Sequence, residues 1–220
     1  RHVTTQDITT ALQQASTQKP LEGNVGAGTG TVCFGFKGGV GTASRKLPQS
    51  LGGYSLGVLV QSNFGGVLEI AGVPVGKELK KYYLSDQLNS TPDGSIMVVI
   101  ATDAPIESRN LERLAKRAFM GIAKTGGIAS NGSGDFIVAF STHPSVRIPH
   151  QPKDSLLQTA VLYNDDLSPL FMAAIEATEE AIIHSLLYAK TITGRNKRKV
   201  EALPIDKLIE ILKKYNRISK

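Results

Sequence analysis

The 220-residue chain contains no tryptophan and one cysteine, Cys33. A lone cysteine can form no internal disulfide, and there is no CxxC or Cys/His cluster. A disulfide-stapled fold, dithiol redox chemistry and structural zinc therefore drop out. No run of 18 apolar residues occurs, and Arg1 to Thr10 lacks the apolar core of a signal peptide. A soluble protein with no membrane partner is expected, cytoplasmic, or periplasmic if a leader precedes residue 1. Positive charge is in excess only at the C-terminus: residues 191–220 hold nine Lys/Arg against three Asp/Glu, which accounts for the whole net charge of +6. A short basic tail whose one aromatic is Tyr215 reads as a solvated face, so no nucleic-acid partner is expected. What is present is a chain with 41% hydrophobic residues, 22 glycines and 20% charged residues, enough to close over one large core.

Ile8, Ala11, Leu12 and Ala15 recur at helical spacing behind the capping candidates Thr4 and Thr5, and Pro20 ends that helix. From Gly23 to Gly76 the chain is rich in glycine. Its β-prone runs, Thr31 to Phe36, Ser55 to Gln61 and Val67 to Ile70, predict an antiparallel meander. Lys77 to Asp93 is polar and aperiodic, an exposed connection as long as loops become in compact domains. Ser95 to Thr102 is nearly all apolar and predicts a strand buried on both faces. A helix follows with Leu111, Leu114, Ala115, Ala118, Phe119 and Ile122 on one stripe, ended by Gly126 and Gly127. Phe136 to Ser141 reads as a second buried strand. A long helix then starts at Ser168-Pro169 and runs to about Lys190, and a last one starts at Pro204 with Ile205, Leu208, Ile209 and Leu212 turned inward. Helices layered on stacked sheets are the architecture this order favours.

Gly26-Ala27-Gly28-Thr29-Gly30 resembles part of a dinucleotide fingerprint, but it opens a strand rather than a helix. The helix N-terminus that would hold a phosphate is missing, and the glycines read as tight turns. None of the four histidines, His2, His143, His150 and His184, sits in a pattern that marks a general base. The junction Asp93-Gly94-Ser95 is more informative, because it puts a hydroxyl at the first position of an apolar strand, directly after glycine, at the end of a long polar loop. A serine there can attack the carbonyl carbon of the preceding residue, and hydrolysis of the resulting ester frees its own α-amine. That amine, with an ordinary pKa near ~7.8, can serve as a base without histidine. Read from its residues alone, Gly-Ser is also a common loop dipeptide.

Six runs occur in order along nearly the whole chain: 22–30 (EGNVGAGTG), 36–45 (FKGGVGTASR), 60–65 (VQSNFG), 93–95 (DGS), 131–135 (NGSGD) and 193–195 (TGR). Together they resemble the DmpA-type L-aminopeptidase D-esterase family of self-processing serine peptidases, which includes β-peptidyl aminopeptidases. The resemblance implies an α/β fold, a four-layer αββα sandwich like that of the N-terminal-nucleophile hydrolases. It also implies self-cleavage between Gly94 and Ser95 into an α part, 1–94, and a β part, 95–220. Family members carry a further N-terminal region ahead of the segment matching Arg1, so 1–220 is expected to be a single domain lacking that region.

By the same resemblance Ser95 becomes the N-terminal nucleophile and Asn63 donates its side-chain amide to the oxyanion. Ser133 bridges the nucleophile to the carboxylate of Asp135, with alternation placing Ser133 and Asp135 on one face of a strand. The implied reaction is hydrolysis of an N-terminal residue from short peptides, amides or esters through an acyl-enzyme, with no metal or cofactor, in a homo-oligomer built as a tetramer of α/β units. Two alternatives stand beside it. An acyltransferase of the ornithine acetyltransferase type shares the fold and self-cleavage but uses a threonine where this chain has Ser95. A non-catalytic binding module could use the basic stretch Arg195 to Lys199 on an acidic partner.

Overall fold

The computed structural model describes residues 3–85, 94–152 and 154–219. His2, Asp93 and the rest of the Lys77–Asp93 connection from residue 86 onward lie outside them. The chain order is α1 (Thr5–Gln13), β1 (Val32–Cys33), β2 (Phe36–Lys37), β3 (Val40–Lys46), β4 (Ser55–Asn63), α2 (Val75–Glu78), β5 (Ser95–Thr102), α3 (Ser108–Lys124), β6 (Phe136–Ser141), α4 (Ser168–Leu187), β7 (Ile192–Thr193), β8 (Lys199–Val200) and α5 (Ile205–Lys214). β3, β4, β5 and β6 form the principal sheet in that order. The β3–β4 and β4–β5 pairs are antiparallel and β5–β6 is parallel, as expected for a pair joined through a crossover helix, here α3.

Helices α3 and α4 cover one face of this sheet. β4 alternates strictly, with Leu56, Val58, Val60 and Ser62 buried, and β5 buries Ile96, Val98 and Ile100 on the same side. α4 is rich in alanine and buries Ala173, Ala174, Ala177, Ala181 and Ile182, because small side chains let it lie close to both the sheet and α3. Arg113 and Arg117 of α3 lie over the Phe171 ring of α4, at 5.2 and 4.2 Å. Arg45 of β3 reaches Glu176 and Glu180 of α4 at 3.0 and 2.6 Å.

The structure departs from the sequence reading at several points. β3 is a full strand that the mixed sequence VGTASRK did not signal. Val67 to Ile70 is no strand: Val67 and Glu69 donate to Gly126 O and Thr125 O beyond the end of α3, and Ile70 turns back on Val73. β5 and β6 form as expected but are not buried on both faces, because the described residues cover only one side of the sheet. Phe136, Val138 and Phe140 are 63%, 54% and 43% exposed, and Met97 is open beside them. Of the αββα layering, the described residues thus build one helical layer on one main sheet. α1 is capped, with Asp7 accepting from the N–H and hydroxyl of Thr4 at 2.7 Å each, yet buries none of its residues. In α5, Leu208 and Ile211 point inward while Ile205 and Ile209 are exposed, a rotation of the stripe by about one position.

Candidate active site

The register of β4 against β5 puts Asn63 directly opposite Ser95 at the end of the ladder, on the sheet face away from the helices. Ser95 Oγ accepts a hydrogen bond from the Gly134 N–H at 3.0 Å. Asp135 Oδ1 accepts from Ser133 Oγ at 2.6 Å and from the Ile96 N–H at 3.1 Å, tying the segment before β6 to the first residues of β5. Asn63 Oδ1 accepts from the Val32 N–H at 2.9 Å, which makes Nδ2 the end of the amide that can donate elsewhere.

All four residues named from the sequence therefore lie at one end of the β4–β5–β6 ladder. Ser133 and Asp135 do so from the turn that precedes β6 and not from a strand, since β6 begins only at Phe136. Their common direction comes from the turn, in which Ser133 N–H donates to Ser130 O. Among the described residues no direct hydrogen bond joins Ser133 to Ser95: the Ser133 hydroxyl donates to the carboxylate and the Ser95 oxygen meets a backbone amide.

Gly94 is held where only glycine fits. A Cβ there would come within 2.8 Å of Phe64 Cα and 3.0 Å of the Asn63 carbonyl carbon, and closer still to the Asn63 carbonyl oxygen. The backbone ahead of the serine is thus pressed against the strand that carries the candidate oxyanion donor. A cleft of about 540 Å³ opens beside Asn63, lined among others by Val32, Phe34, Phe64, Lys81, Tyr82 and Arg198; it reaches Asn63 and not Ser95. Burial lowers the pKa of the Lys81 ammonium, which sits 4.4 Å over the Phe36 ring.

The glycine cluster forms a 3-10 turn, Gly26–Gly30, leading into β1. A Cβ on Gly28 would come within 2.7 Å of both Gly23 O and Val40 N, so close backbone approach accounts for that glycine. His184 Nδ1 lies 2.8 Å from Thr42 O and His143 Nδ1 2.8 Å from Ser145 Oγ, both away from Ser95, and His150 is exposed. Three groups at or behind the site escaped the sequence reading: the Gly134 N–H, the Val32 N–H and Lys37. The first two are backbone amides with no side-chain signature. Lys37 is 1% exposed, and its ammonium donates to Gly28 O at 2.7 Å, Thr31 O at 2.8 Å and Gly38 O at 2.6 Å. Burial lowers its pKa, and burial pushes the neighbouring Cys33 thiol up to about 12, so that thiol stays neutral.

The structure thus brings a serine at a strand start opposite an asparagine and beside a hydroxyl–carboxylate pair. Comparison with known proteins identifies the family. The L-aminopeptidase D-Ala-esterase/amidase of Ochrobactrum anthropi, described as a variant of the Ntn hydrolase fold, is 36% identical to this chain. It superposes with a TM-score of 0.87 over 99% of this chain and 59% of its own. The PH0078 protein of Pyrococcus horikoshii OT3 is 47% identical with a TM-score of 0.86, over 99% of this chain and 59% of that one. The β-peptidyl aminopeptidase BapA of Sphingosinicella microcystinivorans is 44% identical over 232 aligned residues, 99% of this chain and 58% of the relative. The model of peptidase family S58 matches residues 1–200, and the chain belongs to that family. It spans less than two thirds of the length of these relatives.

Proposed function

We propose that the protein is a self-processing serine aminopeptidase. The observation that carries this reading is the placement of Ser95: first residue of β5, opposite Asn63, its oxygen on the Gly134 amide, and its amino side joined to a glycine wedged against β4. In the first step Ser95 Oγ attacks the Gly94 carbonyl carbon. The C–N bond breaks as the C–O bond forms, and the nitrogen takes the proton. Water then hydrolyses the ester, leaving a carboxylate on Gly94 and a free α-amine on Ser95.

In the mature enzyme the same oxygen attacks the acyl carbon of a substrate. The α-amine accepts the hydroxyl proton, or Ser133 accepts it while passing its own proton to Asp135, and the proton returns by the same route to the leaving amine. The carboxylate on Ser133 supports that role as aspartate orients histidine in a triad. Asn63 Nδ2 stabilises the oxyanion, and water releases the acyl group. L-residues at a peptide N-terminus, D-alanyl esters and amides, and β-peptides are the candidate substrates of this reading, which the names of the relatives support. Serine rather than threonine at the nucleophile position argues for hydrolysis over acyl transfer.

Denaturing electrophoresis and N-terminal sequencing of freshly folded full-length protein test the reading. A fragment beginning Ser-Ile-Met-Val is expected, and Ser95→Ala abolishes both that fragment and amidase activity. An intact Gly94–Ser95 bond in folded, active protein would overturn it.

A further inference from the structure

The least ordinary group near the site is Lys37. It is buried with no carboxylate among its hydrogen-bond partners in the described residues, and burying an ammonium costs more than filling the same space with an apolar side chain. Its three N–H donors face three backbone carbonyls, with the Thr31 hydroxyl a longer fourth contact at 3.4 Å, so the ammonium is held from several sides. One of those carbonyls, Thr31 O, belongs to the same peptide group as the Val32 N–H that donates to Asn63 Oδ1.

We propose that Lys37 is a positioning residue for Asn63, acting through the Thr31–Val32 peptide group. The ammonium draws electron density to the Thr31 oxygen, which makes the N–H across that peptide a stronger donor. The Asn63 amide receives the bond on Oδ1 and is polarised in turn, so its Nδ2–H becomes the better donor. Hydrogen bonds linked in series strengthen one another in this way where water is excluded. The chain also settles orientation: Val32 N–H can only donate, so Oδ1 must face it and Nδ2 must face elsewhere. A rigid, pre-polarised donor costs no reorganisation when charge develops on the substrate oxygen. The inference rests on the reading of Asn63 as oxyanion donor, and the tests separate the two.

Turnover of a small amino-acid amide is measured in full-length protein, normalised to the cleaved fraction, for Lys37→Met, Asn63→Ala and the double variant. Asn63→Ala alone is expected to lose roughly 100-fold in kcat. Lys37→Met is expected to lose on the order of 10-fold in kcat with KM nearly unchanged, and to add nothing once Asn63 is alanine. An undiminished further loss in the double variant, or wild-type kcat in Lys37→Met, overturns the Lys37 link. Wild-type kcat in Asn63→Ala instead overturns the oxyanion assignment. A spectroscopic arm does not depend on how Lys37→Met folds. In wild-type protein labelled with 15N-asparagine, the side-chain NH2 pair that vanishes in Asn63→Ala is expected to lie downfield of the exposed asparagines. A position among the exposed asparagines overturns the polarisation.

Discussion

Gly94→Ala is a substitution of one methyl group whose consequence can be worked from distances. The added Cβ would meet Phe64 Cα at 2.8 Å and the Asn63 carbonyl carbon at 3.0 Å, with the Asn63 oxygen nearer still. Ordinary carbon contacts lie at about 3.5–4.0 Å, so the backbone at 94 has to retreat by roughly 1 Å. None of the opposing atoms is the end of a flexible side chain, and relief must come from moving the start of β5. Ser95 Oγ sits 3.0 Å from the Gly134 nitrogen, and a shift of that size removes the hydrogen bond. It also takes the hydroxyl out of line with the carbonyl it attacks, a misplacement that costs about 100-fold in rate. Overpacking of this kind destabilises by roughly 1–3 kcal/mol. At about 2–4 °C per kcal/mol for a chain of this size, melting falls by about 2–12 °C. The assay follows the appearance of the 126-residue fragment Ser95–Lys220 after cell-free synthesis, with Ser95→Ala as the uncut control. Cutting within about threefold of wild type, at an unchanged melting temperature, would refute the wedge argument.

Two further expectations follow from the hydrogen bonds around the site and behind the sheet. Asp135→Asn keeps an acceptor for Ser133 and the Ile96 N–H but removes the charge, and is expected to slow turnover by roughly 10–100-fold with little loss of stability. Asp135→Ala strands both donors and lowers stability as well, by about 1–3 kcal/mol; turnover at the wild-type level in Asp135→Asn would remove the carboxylate from the reaction. Glu22, with a side chain 4% exposed, takes hydrogen bonds from the Thr42 N–H and hydroxyl and pairs with Lys19 at 2.7 Å. Burial raises its pKa, but these partners together outweigh burial and hold it below the ordinary carboxylate range. A depressed carboxylate stabilises the fold above its unfolded pKa, near ~4.3, and that stability is lost as pH falls through the folded value. Thermal melts between pH 6 and 3 are expected to show a smaller acid-induced fall for Glu22→Gln than for wild type. Equal falls would show that Glu22 is not the group responsible.

The elements most legible in the sequence were those with a strong period or a hard boundary. β5 begins at Ser95 and ends at Thr102 as its apolar run does, and α4 begins at Ser168 beside a proline that suits a first helical turn. β3 was not legible, because Val40–Lys46 mixes glycine, alanine and charged residues and is a strand by virtue of its pairing with β4 and its packing under α4. Val67 to Ile70 shows the reverse: β-prone residues whose backbone groups find partners beyond the end of a helix and never join the sheet.

The candidate site divides in the same way. The residue types and their order, glycine before serine at a strand start, an asparagine in SNFG, a serine two residues before an acid, are properties of the chain, and it was their joint resemblance to a family, not any one of them alone, that pointed to the chemistry. That Asn63 stands opposite Ser95, that Asp135 holds the Ile96 amide, and that a lysine lies beneath the glycine turn required the folded register, because each joins residues far apart in sequence or uses a backbone group with no side-chain signature. Local pattern determines what a segment can do. Which atoms meet is decided only when the strands align and water has been excluded, for only then does a buried ammonium need its three carbonyls.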